Sequence, residues 1–318
     1  MSAASAGTVN RCLMIGILLL FFLATCAMLQ QREPFYTWFY SFAWWSYIIY
    51  IESFLRTRGY GSRLSANPRR FLLLIPLSIA LWLLFEAYNF RLQNWHYLDL
   101  PSSRGLRWFG FALAYATVLP ALFATRNLLD YLGWFRNFRL QPIRRHHSLR
   151  PSLLIGAGML LLPLLLPTIF FPLVWLGFIF LLDPFNYRGG AESILRDLEQ
   201  GAPRNLCLLL LSGLLCGGFC ECWNFWAGAK WIYTVPYLGF FKIFEMPLLG
   251  ILGFPPFAVE CYVLVNTFFL VMTRTQQKVS YRARLATYML LGLGAVSFAA
   301  VVFLGIDAFT VVSFRAGN

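Results

Sequence analysis

Glu86, Glu221 and Glu260 each sit inside a long apolar stretch of the chain. An ionisable side chain in such surroundings is costly to bury and marks a functional position by default. Two of the three head the same local pattern. Glu86 leads into Tyr88-Asn89-Phe90 and then Trp95 and Tyr97, while Glu221 leads into Trp223-Asn224-Phe225 and then Trp231 and Tyr233. The chemistry open to such a set is that of a carboxyl group among aromatic faces. The carboxyl exchanges a proton, and the faces hold a cation or an apolar group. An architectural reading uses the same residues. Glu86 then pairs with Arg91 and Glu221 with Lys230, the Trp and Tyr residues form an interfacial belt, and Asn89 and Asn224 cap helix ends. Glu260 lies just after Pro255-Pro256, which are expected to interrupt its helix and free backbone carbonyls beside it.

The elements that position these residues follow from composition. Of 318 residues, 59% are apolar or aromatic, 18% are Phe, Trp or Tyr, only 12% are charged, and mean hydropathy is +0.64. Soluble domains carry about 25% charged residues, so a soluble enzyme, a disordered chain and a coiled coil are all excluded. The expected fold is an all-α polytopic membrane bundle. Stretches near the 20-residue length of a membrane helix run over 12–29, 35–55, 71–90, 108–129, 206–225, 244–272 and 285–304. The apolar stretch 153–182 is too long for one upright span. With Pro163 and Pro167 inside it, it reads as a hairpin turning near Leu166, which makes nine spans. The first span, with Leu23-Ala24-Thr25-Cys26 near a lipoprotein cleavage box, reads as an uncleaved helix.

Basic residues set the orientation. Arg56, Arg58, Arg63, Arg69 and Arg70 follow the second span. Arg126, Arg136, Arg139, Arg144, Arg145 and Arg150 follow the fourth, and Arg274, Lys278, Arg282 and Arg284 follow the eighth. These loops belong together on the cytoplasmic side, with the N-terminus inside and the C-terminus outside, which in a bacterial inner membrane is the periplasm. The net charge of +13 is accounted for by those loops and anionic headgroups rather than by nucleic acid. Residues 127–140 and 191–199 read as amphipathic helices on the inner leaflet, the latter supported by Glu192 and Arg196. Counted from these loops at 1.5 Å per residue, Glu86, Glu221 and Glu260 all fall in the outer leaflet, about 20–25 Å from the cytoplasmic helix ends.

The two glutamate patterns belong to a longer tandem repeat. Residues 86 and 221 are 135 apart, and Pro68-Arg69 matches Pro203-Arg204 at that same spacing. Trp44 with Glu52-Ser53-Phe54 resembles Trp175 with Asp183-Pro184-Phe185, and Trp108 to Pro120 is spaced like Phe244 to Pro256. Four spans per unit is an even number, so both halves share one orientation, and a cavity between them is expected. The units are 1–150 and 151–280, with 281–318 as an extra helix. Ala124 stands where the repeat would place a counterpart of Glu260.

Cys12, Cys26, Cys207, Cys216, Cys220, Cys222 and Cys261 all lie in apolar stretches, where thiols act as small hydrophobes. Cys216, Cys220 and Cys222 with Glu221 form the one set with metal-like spacing, and the reading adopted is that no metal or cofactor is held. His146-His147 belongs to a basic loop. His96 lies between Trp95 and Tyr97 but is replaced by Ile232 in the second unit. The chain has no Walker loop, Gly-x-Ser-x-Gly or His-Glu-x-x-His motif.

Trp231-x-Tyr233, Gly239 and Gly253-Phe254-Pro255-Pro256 leading to Glu260 resemble the integral-membrane carotenoid cyclases of the lycopene cyclase type. The resemblance covers roughly 221–262, with a fainter version at 86–120. It implies helical repeats and an acidic role for Glu260, protonating an alkene with aromatic faces stabilising the cation. The family's paired Glu-Glu after the proline is replaced here by the single Glu260. Three functions stay open at this level. The first is a site binding or modifying an apolar lipid or isoprenoid, with Glu86, Glu221 and Glu260 as its acids and Asn89, Trp95, Tyr97, Asn224, Trp231 and Tyr233 as its walls. The second is a carrier of a small amphiphile. The third is an accessory subunit held to a membrane-protein partner.

Overall fold

A computed structural model describes residues 3–61, 68–143, 149–237, 239–278 and 280–315. The loop positions Arg63, Arg144, Arg145, His146 and His147 lie outside the described residues. The elements run α1 (Ala3–Leu29), α2 (Phe39–Thr57), α3 (Pro68–Leu92), β1 (Trp95–Leu98), β2 (Leu100–Pro101), α4 (Arg104–Tyr115) and α5 (Val118–Tyr131). They continue with α6 (Arg150–Leu165), α7 (Pro167–Phe170), α8 (Gly177–Gly189), α9 (Ile194–Glu199), α10 (Arg204–Trp226), β3 (Lys230–Tyr233), β4 (Lys242–Ile243) and β5 (Met246–Pro247). The chain closes with α11 (Phe254–Lys278), α12 (Tyr281–Phe309) and β6 (Phe314–Arg315).

The chain is mostly helical, and among the described residues seven helical segments are long and apolar enough to cross a membrane: Val9–Leu29, Arg70–Leu92, Arg104–Tyr131, Pro167–Gly189, Arg204–Trp226, Leu248–Gln277 and Tyr281–Phe309. The protein is an integral, multi-pass membrane protein on that ground. Two further expected spans coincide with α2 and α6. Tyr, Trp, Ser and Glu52 dilute the apolarity of α2, and α6 has only 16 residues. α1 and α12 expose large apolar side chains such as Phe22, Leu290 and Val296, as surfaces facing lipid do.

The α6–α8 hairpin turns where expected. Leu166 leaves the helical region and Pro167 starts a new turn. Gly156 then lets the arms meet, since a Cβ there would collide with the Leu181 backbone. Gly213 and Gly217, one turn apart on α10, likewise admit Phe254 of α11, a small-xxx-small contact that brings two membrane helices close.

Three local expectations are corrected. Pro255 and Pro256 do not break a helix before Glu260. They lie in the first turn of α11, where a missing N–H leaves no hydrogen bond unmade. The stretch 127–140 is not one amphipathic helix, because α5 ends at Tyr131 and Gly133 and Phe135 then turn through the left-handed region. In 191–199 only α9 is helical. Ser193 caps it, and Glu192 lies outside the helix, accepting from Tyr262 OH at 3.0 Å.

At the end of α3 remote from Arg70 the strands form a thin layer. β1 pairs antiparallel with β3, setting Trp95 against Tyr233, His96 against Ile232 and Tyr97 against Trp231. The segment after α12 runs along the other side of β1: Tyr97 N donates to Thr310 O (2.8 Å) and Val312 N to Tyr97 O (2.9 Å). Leu100 then pairs in parallel with Phe314. A bidentate ion pair ties α12 to α4, with Arg107 Nε on Asp307 Oδ1 at 2.6 Å and Arg107 Nη2 on Asp307 Oδ2 at 2.8 Å. Trp108 Nε1 adds a bond to the same carboxylate at 3.0 Å. Removing one partner of a buried pair strands the other charge, at a cost of about 3–5 kcal/mol. Asp307→Ala is therefore expected to lower thermal stability in detergent sharply, and Arg107→Met combined with Asp307→Leu to recover most of it. Equal melting of the wild type and Asp307→Ala would show the pair to be idle.

Candidate functional site

Glu86 stands in the last two turns of α3 and is fully buried. Its Oε1 accepts four hydrogen bonds from ring donors: Trp82 Nε1 (2.8 Å), Trp95 Nε1 (3.1 Å), Tyr97 OH (2.5 Å) and Tyr115 OH (3.3 Å). Each donor arrives by a different route. Trp82 is one turn earlier on the same helix face. Trp95 and Tyr97 are alternate residues of β1 and so point to one side of the strand. Tyr115 ends α4, where the chain breaks at Ala116 and Thr117. Buried Ser78 of α3 holds that break, donating to Tyr115 O (2.5 Å) and accepting from Leu119 N (3.1 Å).

Glu221 on α10 repeats part of this arrangement. Its Oε1 accepts from Tyr233 OH at 2.8 Å, as Glu86 does from Tyr97. Gly217 stands 135 residues after Trp82, and there the Phe254 ring takes the space a tryptophan would need. The two asparagines match closely. Asn89 Nδ2 donates to Trp95 O and Asn224 Nδ2 to Trp231 O, both at 2.8 Å. Asn89 Oδ1 accepts from Trp95 N (3.3 Å) and Asn224 Oδ1 from Trp231 N (3.0 Å). Each asparagine thus clamps the strand that follows its helix. The charge pairings of the architectural reading do not form. Lys230 bonds Glu245 at 2.9 Å, and Arg91 Nε donates to Leu164 O at 3.0 Å.

Glu260 is fully buried on the second turn of α11. Its Oε1 accepts from Phe178 N at 2.8 Å, in the first turn of α8. It serves as an N-terminal cap supplied by another helix, a favourable place for an acceptor. One carboxyl oxygen each of Glu86, Glu221 and Glu260, Oε2 in all three, has no hydrogen-bond partner among the described residues.

A cavity of about 210 Å³ carries aromatic rings from α2, α3, β1, α4, β3 and α11 in its wall. All four donors to Glu86 line it, as does Tyr233, the donor to Glu221. Of the expected site residues, Trp95, Tyr97, Trp231 and Tyr233 line the cavity. Glu86, Glu221, Asn89 and Asn224 stand behind that wall, and Glu260 is absent from it. Sequence reasoning missed Trp82, Tyr115, Trp175 and Trp44. Trp82 could have been found from its one-turn spacing to Glu86, whereas Tyr115 and Trp175 carry no local signal. Cys216 and Cys220 also line the cavity, their sulfurs engaged with Thr125 (3.2 Å) and Tyr40 (3.4 Å).

In the strand layer, burial and then the neighbouring carboxylates Glu86 and Glu221 push the Tyr97 and Tyr233 phenols well above their ordinary value. Both remain neutral donors. His96, on the opposite side of β1, links that strand to the residue after β3 by bonding Thr234 Oγ1 (3.0 Å), and also bonds Gln93 Oε1 (2.9 Å). Burial lowers its pKa.

No family model, curated protein or solved structure matches the chain. The site's chemistry is therefore read from its own geometry.

Two outcomes follow. Glu86→Gln keeps an acceptor at Oε1 and is expected to fold, whereas Glu86→Leu strands Trp82 Nε1, Trp95 Nε1 and one tyrosine hydroxyl, the Tyr97 and Tyr115 hydroxyls still bonding each other at 2.8 Å. At about 1–3 kcal/mol for each orphaned group, the leucine variant should lose its cooperative melt; a wild-type melt would show the carboxyl to be dispensable. His96 has its folded pKa below the unfolded value of about 6.5, so its contribution is full above that pH and is lost as pH falls through the folded pKa. Hydrogen exchange in 95–98 and 230–233, corrected for intrinsic rates, should accelerate from pH 7 to pH 5 in the wild type but not in His96→Gln.

Proposed function

We propose that the protein binds an apolar lipid chain, isoprenoid or acyl, in the aromatic cavity between its halves. The observation that carries this reading is the cavity wall, built of Trp and Tyr rings whose polar ends are turned onto Glu86 and Glu221. With the N–H and O–H groups of Trp82, Trp95, Tyr97, Tyr115 and Tyr233 satisfied behind the wall, these rings offer carbon to whatever lies inside. At about 210 Å³, the space is smaller than the roughly 300 Å³ of the smallest usual ligand pockets. It accommodates a segment of a chain while the remainder lies in the bilayer.

In this reading Glu86, Glu221, Asn89 and Asn224 are positioning residues that act through the rings and strands they hold. Glu260 acts through α8. Any modification of the lipid depends on aromatic faces stabilising positive charge on the chain. The bundle has nine spans, a parallel repeat of 1–150 and 151–280 with 281–318 added. The paired Trp-x-Tyr strands and the matched asparagine clamps support that arrangement. It lies in a bacterial inner membrane with the N-terminus cytoplasmic and the C-terminus periplasmic, and membrane lipids load the site.

The test is native mass spectrometry, with an absorption spectrum, of protein released from nanodiscs. The wild type should retain one lipid class, and Ala114→Trp, which fills the cavity, should lose at least nine-tenths of it. A wild type that carries no lipid removes this reading. A bare chain then points to a carrier, and a stoichiometric protein partner to an accessory subunit.

A further inference from the structure

Most polar side-chain ends on the cavity wall are already engaged. Trp82, Trp95, Tyr97 and Tyr115 are committed to Glu86 and Tyr233 to Glu221; the two cationic groups, Arg107 and Lys230, are paired with Asp307 and Glu245. Two lining residues carry a fully buried polar atom that departs from this pattern. Trp44 of α2 and Asn94, at the entry to β1, are each 3% exposed. Trp44 Nε1 faces the Tyr40 oxygen without a well-formed hydrogen bond, Tyr40 OH being engaged with Cys220 Sγ at 3.4 Å. The Oδ1 end of the Asn94 amide has no hydrogen-bond partner among the described residues.

The backbone around both is firmly held, so neither is a loose surface group. Asn94 N donates to Asn89 Oδ1 (2.8 Å), and Asn94 O accepts from Thr234 N (2.8 Å). The Trp44 ring meets Trp223 edge-on at 4.7 Å and Tyr47 at 5.8 Å. Folded proteins leave few buried polar atoms unpaired, and those that remain point to an absent partner. One is a donor and the other an acceptor. A pure hydrocarbon satisfies neither.

We propose that the lipid bound here is an amphiphile whose chain carries a hydroxyl inside the cavity, with Trp44 Nε1 as a donor to its oxygen and Asn94 Oδ1 as an acceptor for its proton. This rests on the lipid-site reading and narrows its ligand class. The hydroxyl is a recognition element, held by hydrogen bonds with no bond made or broken. Trp44 and Asn94 decide between alcohol and hydrocarbon, while the ring wall binds the chain common to both.

The test compares farnesol with β-farnesene, a pair sharing a fifteen-carbon isoprenoid skeleton in which the hydrocarbon has a fourth double bond in place of the hydroxyl, by native mass spectrometry on nanodisc-held protein. Wild type should bind farnesol about tenfold or more tightly than the hydrocarbon. Trp44→Phe keeps a ring and Asn94→Leu keeps the bulk. Each should reduce the ratio to about threefold or less, with farnesene affinity unchanged as the sign of an intact cavity. Equal binding of both probes to the wild type overturns the hydroxyl proposal and leaves the lipid site standing. The hydroxyl proposal falls equally if wild type prefers farnesol and both variants keep that preference in full. Binding of neither probe also overturns the hydroxyl proposal, while the lipid-site reading falls only if the wild type retains no lipid.

Discussion

A carboxyl group without water needs donors, and this structure is arranged around supplying them to Glu86. One oxygen draws in the indoles of Trp82 and Trp95 and the phenols of Tyr97 and Tyr115. An uncompensated carboxylate in an apolar interior is prohibitively costly, so these four rings are not free to turn elsewhere. They come from α3, β1 and α4, and satisfying one oxygen fixes how three elements meet. The cavity wall follows from that constraint, because rings anchored by their polar ends present their faces in one direction.

The strand layer extends the same logic across the molecule. Asn89 and Asn224 turn their chains from helix to strand by bonding both the N–H and the C=O of the following tryptophan. The strands then use their outward edges on each other, so Trp95 faces Tyr233 and Tyr97 faces Trp231. Backbone pairing of this kind has little tolerance for slippage, since a shift of one residue would turn every ring away from its carboxyl group. The tail after α12 closes the other edge of β1. The Arg107–Asp307 pair clamps α12 in place, leaving no open edge on that side of the strand.

The stretches after Glu86 and Glu221 agree where the backbone is clamped and differ where volume matters. Both carry glutamate, asparagine and the strand tyrosine. Where α3 has Trp82, the matching position of α10 is Gly217, and Phe254 of α11 fills the space. Glu260 caps α8. The cavity thus has unequal walls, with four ring donors to a carboxyl on one side and one on the other.

Much of this could be read from the residues. Low charge and long apolar runs announced a multi-pass helical membrane protein. Prolines at 163 and 167 announced the hairpin, and the recurrence of Glu, Asn and Trp-x-Tyr singled out two matching segments, though not that they pair as strands. These are local properties, written in side-chain type and spacing. Tertiary structure alone decided which donors each carboxyl meets. Arg91 and Lys230 are the nearest cations in sequence to Glu86 and Glu221, yet Arg91 turns to a backbone carbonyl and Lys230 to Glu245. Pairing depends on distance after folding, and Tyr115 reaches Glu86 only because Ser78 holds a helix break 37 residues away. The same reason separates Glu260, conspicuous in sequence, from the cavity. A buried acceptor goes to the unsatisfied N–H its helix packing provides, and here that is the start of α8.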